Sequence, residues 1–298
     1  VGERNYPSVL TKFFVHEGLA YRITPFDWSK LGYDVKSGEH PVDIDLFYDN
    51  VMNRFKWGGV KENKEYYADE TIRRMISTHR NLVAQLAKDM INSEESDARI
   101  ISVLEKVYNE FPEEIIPYDP LRDNTISLAE VYNIIYKVQC DYRNELLATD
   151  ESDRVRMEIL KDLYLGDDTL AMLKQRIDKM SNSILKNELE HIKWYNSLNI
   201  NEIDGIMMYH RVSLVHHTWL LLDQGKSSNI AREEIVDALC TSFERLVEAY
   251  DKTHDKEKRN INRQVLSSIS KVLNDMGLSN AEMRKIENSL RKMMRQTK

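Results

Sequence analysis

The sequence predicts a mostly α fold: helical hairpins that follow a short irregular or β N-terminal segment. Three observations carry this. Only 10 Gly and 6 Pro punctuate 298 residues, too few for many short strands and their turns. Apolar residues recur at helical spacing through most of the chain after residue 43. Cap and stop residues fall where those patterns begin and end. At 42% hydrophobic and 31% charged residues, the composition is that of a globular chain with a real core.

Taken in order, Leu19, Tyr21 and Ile23 alternate with Ala20, Arg22 and Thr24, the pattern of a short strand ended by Pro25. Residues 32–41, with Gly32, Gly38 and Pro41, read as loop. Asp43 or Asp45 can cap a helix reaching Phe55, with Leu46, Phe47, Val51 and Phe55 on or near one face. Gly58 and Gly59 end it, because adjacent glycines permit positive φ. Asp69 caps the next helix, to about Ile91, and Glu70 adds negative charge to its first turn. Ile72, Met75, Ile76, His79, Leu82, Val83, Leu86 and Met90 repeat along it at helical spacing. Ser93 to Ser96 make a turn, and a second helix runs from Asp97 to Phe111, where Pro112 stops it.

This antiparallel pair has the outline of a tetratricopeptide hairpin, although the small residues such repeats use for close contact are mostly missing. Residues 117–124, with Pro117 and Pro120, form a loop. Further helices are expected at 127–148, 153–164, 168–196, 201–222, 231–250, 257–276 and 280–295. No second copy of the 69–112 pattern appears, so a regular solenoid is not expected. The polar stretch 148–153 divides the chain into an N-terminal part, 1–148, and a helical C-terminal part, 149–298, with one fused domain as the alternative.

Charge and motif content exclude several classes. The 42 basic and 49 acidic residues give a net charge of −7, whereas nucleic-acid binders usually carry a basic excess. No apolar run is long enough to span a membrane; the nearest, Gly205 to Leu222, contains Arg211 and three histidines and reads as a core helix. The last predicted helix sets Met283, Ile286, Leu290 and Met293 on one face amid basic residues, which fits a docked terminal helix better than a membrane-surface helix. Cys140 and Cys240 form no metal motif and sit among apolar residues, as buried free thiols do; a disulfide is the alternative. A start at Val1-Gly2, with no initiator Met and no signal peptide, suggests a fragment of something longer.

Candidate chemistry is sparse. Glu188 and His191 have the Glu-x-x-His spacing of carboxylate-bridged di-iron bundles, but no second such motif exists, and a solvated helix face explains them more simply. His210 and His217 share a helix face with His216 nearby, and packing beside Tyr209 and Trp219 accounts for them better than a metal site. A helical metalloenzyme using His191, His210 and His217 is therefore a remote reading. His16-Glu17 lacks the second histidine of a metalloprotease signature. Phosphate-loop, nucleophile-elbow and Cys/His arrangements are absent. No cofactor and no metal are expected.

The densest stretch is Phe47 to Leu86. Arg73, Arg74, His79 and Arg80 lie within eight residues, after Trp57, Tyr66 and Tyr67. Guanidinium forks suit carboxylate or phosphate, and aromatic faces can stack on a sugar. The plainer reading pairs these arginines with Asp45, Asp49 and Asp69. The candidate binding residues are thus Trp57, Tyr66, Tyr67, Arg73, Arg74 and Arg80, lining an expected surface groove.

Three segments together resemble one family: Glu17–Ile23 (EGLAYRI), Tyr48–Gly59 (YDNVMNRFKWGG) and Tyr67–Leu82, which opens YADE and closes on Arg80-Asn-Leu. Their order and spacing are similar to the C-terminal soluble region of large bacterial multispanning membrane proteins of the protein O-mannosyltransferase-like, or domain-of-unknown-function, family. The resemblance covers about residues 8–118 and fades after Leu128–Tyr132. It implies a periplasmic, non-catalytic tail, with the catalytic acid expected in a membrane block that this chain lacks. It further implies binding of a protein or glycan partner, and attachment to the membrane through that missing block. A stand-alone helical scaffold or adaptor for a protein partner is the other reading.

Overall fold

Helix starts in this chain are set by side chains that stand in for missing backbone acceptors. The Asp69 carboxylate accepts from the Ile72 amide at 2.9 Å, and Asp43 accepts from Leu46 at 3.2 Å. Asp153 accepts from Arg156 at 3.2 Å, and Asp255 from both Glu257 and Lys258. Each satisfies an amide that the first helical turn leaves free. The structure is a computed structural model that describes residues 8–34, 40–63, 65–118, 125–150, 152–203, 205–279, 281–284, 286 and 288. Most of the expected last helix, including Leu290 and Met293, and residues 119–124 of the expected loop lie outside the described residues.

The element order is α1 (Ser8–Thr11), β1 (Phe14–His16), β2 (Tyr21–Ile23), α2 (Ile44–Asp49), α3 (Glu70–Asn92), α4 (Asp97–Glu110), α5 (Thr125–Ala148), α6 (Arg154–Leu163), α7 (Asp167–Ser197), α8 (Gly205–Leu221), α9 (Arg232–Lys252) and α10 (Lys256–Asp275). The fold is mostly α, with one small antiparallel sheet among the described residues. The strand expected at 19–24 is β2. Its partner β1 was not apparent in the sequence, because Phe14, Val15 and His16 are all buried and show no alternation.

The expected helix 43–55 is α2 continued by a π turn, Asn50–Arg54, which Phe55 closes by donating to the Asn50 carbonyl at 2.8 Å. Gly58 and Gly59 both have positive φ, as their place after a helix requires. The expected helix at 201–222 begins later, at Gly205, behind a short 3-10 turn, Ile200–Glu202.

The chain divides into two compact units, 1–173 and 174–298. The division lies inside α7, downstream of the polar stretch 148–153. That stretch is no boundary because α6 folds back onto α5. In the first unit α3 and α4 form a hairpin on which α5 packs. Of the expected stripe on α3, Ile76, His79, Val83, Leu86 and Met90 are buried and Met75 is exposed; Arg80, Ala84 and Ala87 join the buried face.

Gln139 on α5 is fully buried. Its amide donates to Asp97 at 2.7 Å and to the Leu163 carbonyl at 3.1 Å, and accepts from the Leu165 amide at 2.8 Å. One side chain thereby ties the start of α4, α5 and the α6–α7 turn together. In the second unit Leu185, Leu189 and Ile192 of α7 join Val212, Trp219, Leu239, Phe243, Leu266 and Ile269 in a single core. Each such large side chain, fully buried, contributes roughly 1.5–3 kcal/mol.

Candidate functional site

The three segments that carry the family resemblance meet in the first unit. Gly18 has φ +116°, and a Cβ there would lie 2.9 Å from the Phe55 ring and 3.3 Å from Phe47. Only glycine allows both that backbone and that approach. Asn50 donates its side-chain amide to the Glu17 carbonyl at 2.8 Å, and Arg22 pairs with Glu17 and Asp43. His16 stacks on Tyr21 at 4.8 Å and meets Phe47 edge-on at 5.0 Å, which gives it a packing role.

The same joint holds Trp57. Its ring lies 5.5 Å from His79, 5.5 Å from Phe111 and 5.8 Å from Phe55. The Lys106 ammonium sits 6.0 Å from its centroid. Buried His79 donates from Nδ1 to the Met75 carbonyl at 2.8 Å, which fixes its ring. Trp57 is half-buried: wedged by rings on one side and open on the other.

The structure splits the six candidate residues. Arg80 leaves the surface altogether: at 2% exposure it donates to the carbonyls of Ile116 at 2.8 Å, Pro117 at 3.3 Å and Phe111 at 3.4 Å, and lies 4.8 Å from the Tyr118 ring. It fastens the chain after α4 back onto α3. Arg73 is exposed and donates from Nε to the Ala68 carbonyl at 3.2 Å. Arg74 is exposed and forms no ion pair among the described residues. Tyr66 is half-buried, and Tyr67 is 83% exposed.

The pairing of these arginines with Asp45, Asp49 and Asp69 does not occur. Asp45 binds Arg99 at 2.6 Å, Asp49 binds Arg54 at 2.5 Å, and Asp69 is occupied as a cap. What remains at the surface is half-buried Trp57 and Tyr66 together with exposed Tyr67, Arg73 and Arg74.

Behind Trp57 lies a buried carboxylate. Glu110 accepts from Lys61 at 2.7 Å and pairs with Lys106 at 3.1 Å. Burial alone would push its pKa up; the two ammoniums outweigh that and hold it below the ordinary glutamate value.

The remaining candidates resolve differently. Glu188 is not solvated: it is buried and paired with buried Arg211 at 2.8 Å, whereas His191, three residues on, is exposed. His210 is exposed with its ring 5.7 Å from Tyr209, and His216 lies 3.0 Å from Asp275. No group of three or more His, Cys, Asp or Glu among the described residues is placed to hold a metal ion. Cys140 and Cys240 are free thiols. No described helix is long and apolar enough to cross a membrane.

A second site escaped the sequence reading. In the second unit an open cleft of about 630 Å³ lies between the 3-10 turn at 200–202, the start of α8, and the α9–α10 corner. Ile200, Ile203, Ile206 and Ile261 wall it, Asn262 lines it, and Lys258 stands beside it. These residues come from two segments more than fifty positions apart, 200–206 and 258–262, so no local motif could have announced their meeting. No family model, curated protein or solved structure matches the chain.

Proposed function

We propose that this chain is a non-catalytic, extracytoplasmic part of a glycosyltransferase-like membrane protein, and that it works by binding a protein or glycan partner through the Trp57 patch. The observation that carries this is the pairing of a fixed aromatic with unpartnered charge. Trp57 is held by Phe55, His79 and Phe111 and keeps one side open, while Tyr67 stands 83% exposed before a helix whose Arg73 and Arg74 have no carboxylate partner among the described residues. A ring already immobilised by packing loses little entropy when a partner stacks on it, and guanidiniums add directed bonds to carboxylate or phosphate. The EGLAYRI, FKWGG and YADE segments support the membrane-protein origin, and the α3–α4 hairpin would serve as the platform.

The origin is tested by reading the gene upstream of Val1: a frame without membrane spans overturns it. Binding is tested with Trp57→Ala and Arg73→Ala/Arg74→Ala in titrations against the acceptor proteins and glycans of the same cell envelope. Both variants should lose at least about tenfold in affinity, the loss of a contact worth about 1.4 kcal/mol. Unchanged affinity overturns the assignment of the patch.

One observation favours the scaffold reading instead. Helix α6 exposes Val155, Ile159 and Leu163, a stripe at i, i+4 and i+8 that nothing among the described residues covers. If Ile159→Glu abolishes partner capture while the Trp57 variants do not, the adaptor reading replaces the first.

A further inference from the structure

We infer that the cleft in the second unit binds a short aliphatic peptide segment that carries a carboxylate. The inference stands apart from the Trp57 patch, since every residue it uses lies within 174–298.

It begins from Asn262. This residue is 93% buried and lines the cleft, and its side-chain amide makes no hydrogen bond among the described residues. Buried amides are almost always bonded, so a donor and an acceptor held at an aliphatic wall point to a partner that arrives from outside. The position is fixed by packing. Where α8 starts against α10, a Cβ on Gly205 would fall 2.7 Å from Asn262 Oδ1 and 2.9 Å from Ile261 Cγ2. Gly205 allows the approach, and the approach leaves Asn262 little room to turn.

Several other polar groups around the cleft are engaged, while Asn201 and His254 border it as exposed residues. The Thr253 hydroxyl accepts from the Asp255 amide at 3.3 Å, and Lys252 bonds Glu248 at 2.7 Å. Glu202 is held in a capping box with Asn199, and Asp255 caps α10. Lys258 is exposed and has no acid partner among the described residues.

The ligand follows from these groups. An asparagine amide presents N–H donors and a carbonyl acceptor side by side, and a peptide unit satisfies both at once. The four isoleucines suit an aliphatic side chain. No Phe, Tyr or Trp lines the cleft, and its one ring is the small imidazole of exposed His254, so a sugar or a planar base would find no broad face to stack on. The unpaired Lys258 ammonium suits a carboxylate, from a chain terminus or from an acidic side chain.

The test uses the full chain with isoleucine methyl groups labelled for NMR. The probes are the free acid Ala-Ala-Ile-Leu, its C-terminal amide, acetyl-Ala-Ile-Leu-Glu-amide, and dodecanoate as an amphiphile without a peptide bond. Shifts are expected at Ile200, Ile203, Ile206 and Ile261 with the free acid or the glutamate peptide, and the stronger of the two identifies the source of the carboxylate. Asn262→Leu should weaken binding at least about tenfold, because it removes the amide pair. Lys258→Glu, at an exposed position that cannot disturb folding, should weaken the acids and leave the C-terminal amide unchanged. The inference is overturned if no peptide shifts these methyls, if Lys258→Glu weakens acid and amide alike, if Asn262→Leu binds as well as the native chain, or if dodecanoate binds more tightly than the peptides.

Discussion

Replacing Arg80 should unfold the first unit more readily than any other single change in the Phe47–Leu86 stretch. Arg80→Met keeps most of the volume and the unbranched stem but removes every donor. At 2.8 Å the bond to the Ile116 carbonyl is full-strength; those to Pro117 and Phe111, at 3.3 and 3.4 Å, are long and weaker. A hydrogen bond from a charged donor contributes about 1.5–3 kcal/mol net, and stranding the buried carbonyl costs about 1–3 kcal/mol more. Counting only the short bond at full strength, the expected loss is roughly 3–5 kcal/mol. For a unit of this size that lowers its melting temperature by about 10 °C. Arg80→Lys should recover less than half, because an ammonium cannot fork to several carbonyls. Urea unfolding followed by far-ultraviolet circular dichroism measures the loss. A change under about 1 kcal/mol with an unaltered denaturant slope would refute the reasoning, since it would mean that water replaces the guanidinium at little cost.

The remaining expectations concern buried charge. The Glu110 pKa lies below its ordinary value of 4.5, so its contribution is fully present above that pH and is lost as pH falls through the lower folded value. Glu110→Gln should therefore flatten the acid limb of the melting-temperature profile below about pH 5; superimposable acid limbs for the two proteins would remove Glu110 as a source of it. In the second unit, Glu188→Gln or Arg211→Met leaves one charge buried without its partner and should cost about 3–5 kcal/mol, while the double replacement Glu188→Leu/Arg211→Met recovers most of it. A thermal double-mutant cycle with additive losses would show that the pair is not coupled.

Helix order and most helix limits were legible in the sequence. Asp69, Asp153, Pro112, Gly166 and Gly277 stand within a few residues of the ends they set, and capping is a local interaction. Burial of individual polar residues was not legible. Arg73, Arg74 and Arg80 look alike in sequence, yet only Arg80 points at carbonyls that return from residues 111–117. Glu188 and His191 look like one motif, but Arg211, on another helix, takes the glutamate into the core and leaves the histidine outside.

The same limit applies to the sites. The Trp57–Arg80 stretch could be singled out because its residues lie within about twenty-five positions, where composition is visible. The cleft could not, because Ile200, Ile206 and Asn262 become neighbours only when α8 crosses α10 at Gly205. By itself, the sequence determined an α-helical chain with its caps, its breaks and one dense aromatic–arginine stretch, because periodicity and capping act over four or five residues. Tertiary structure alone decided which charges are buried, where the chain divides and where an unpartnered amide faces a cleft, because those depend on groups that meet from tens of residues away.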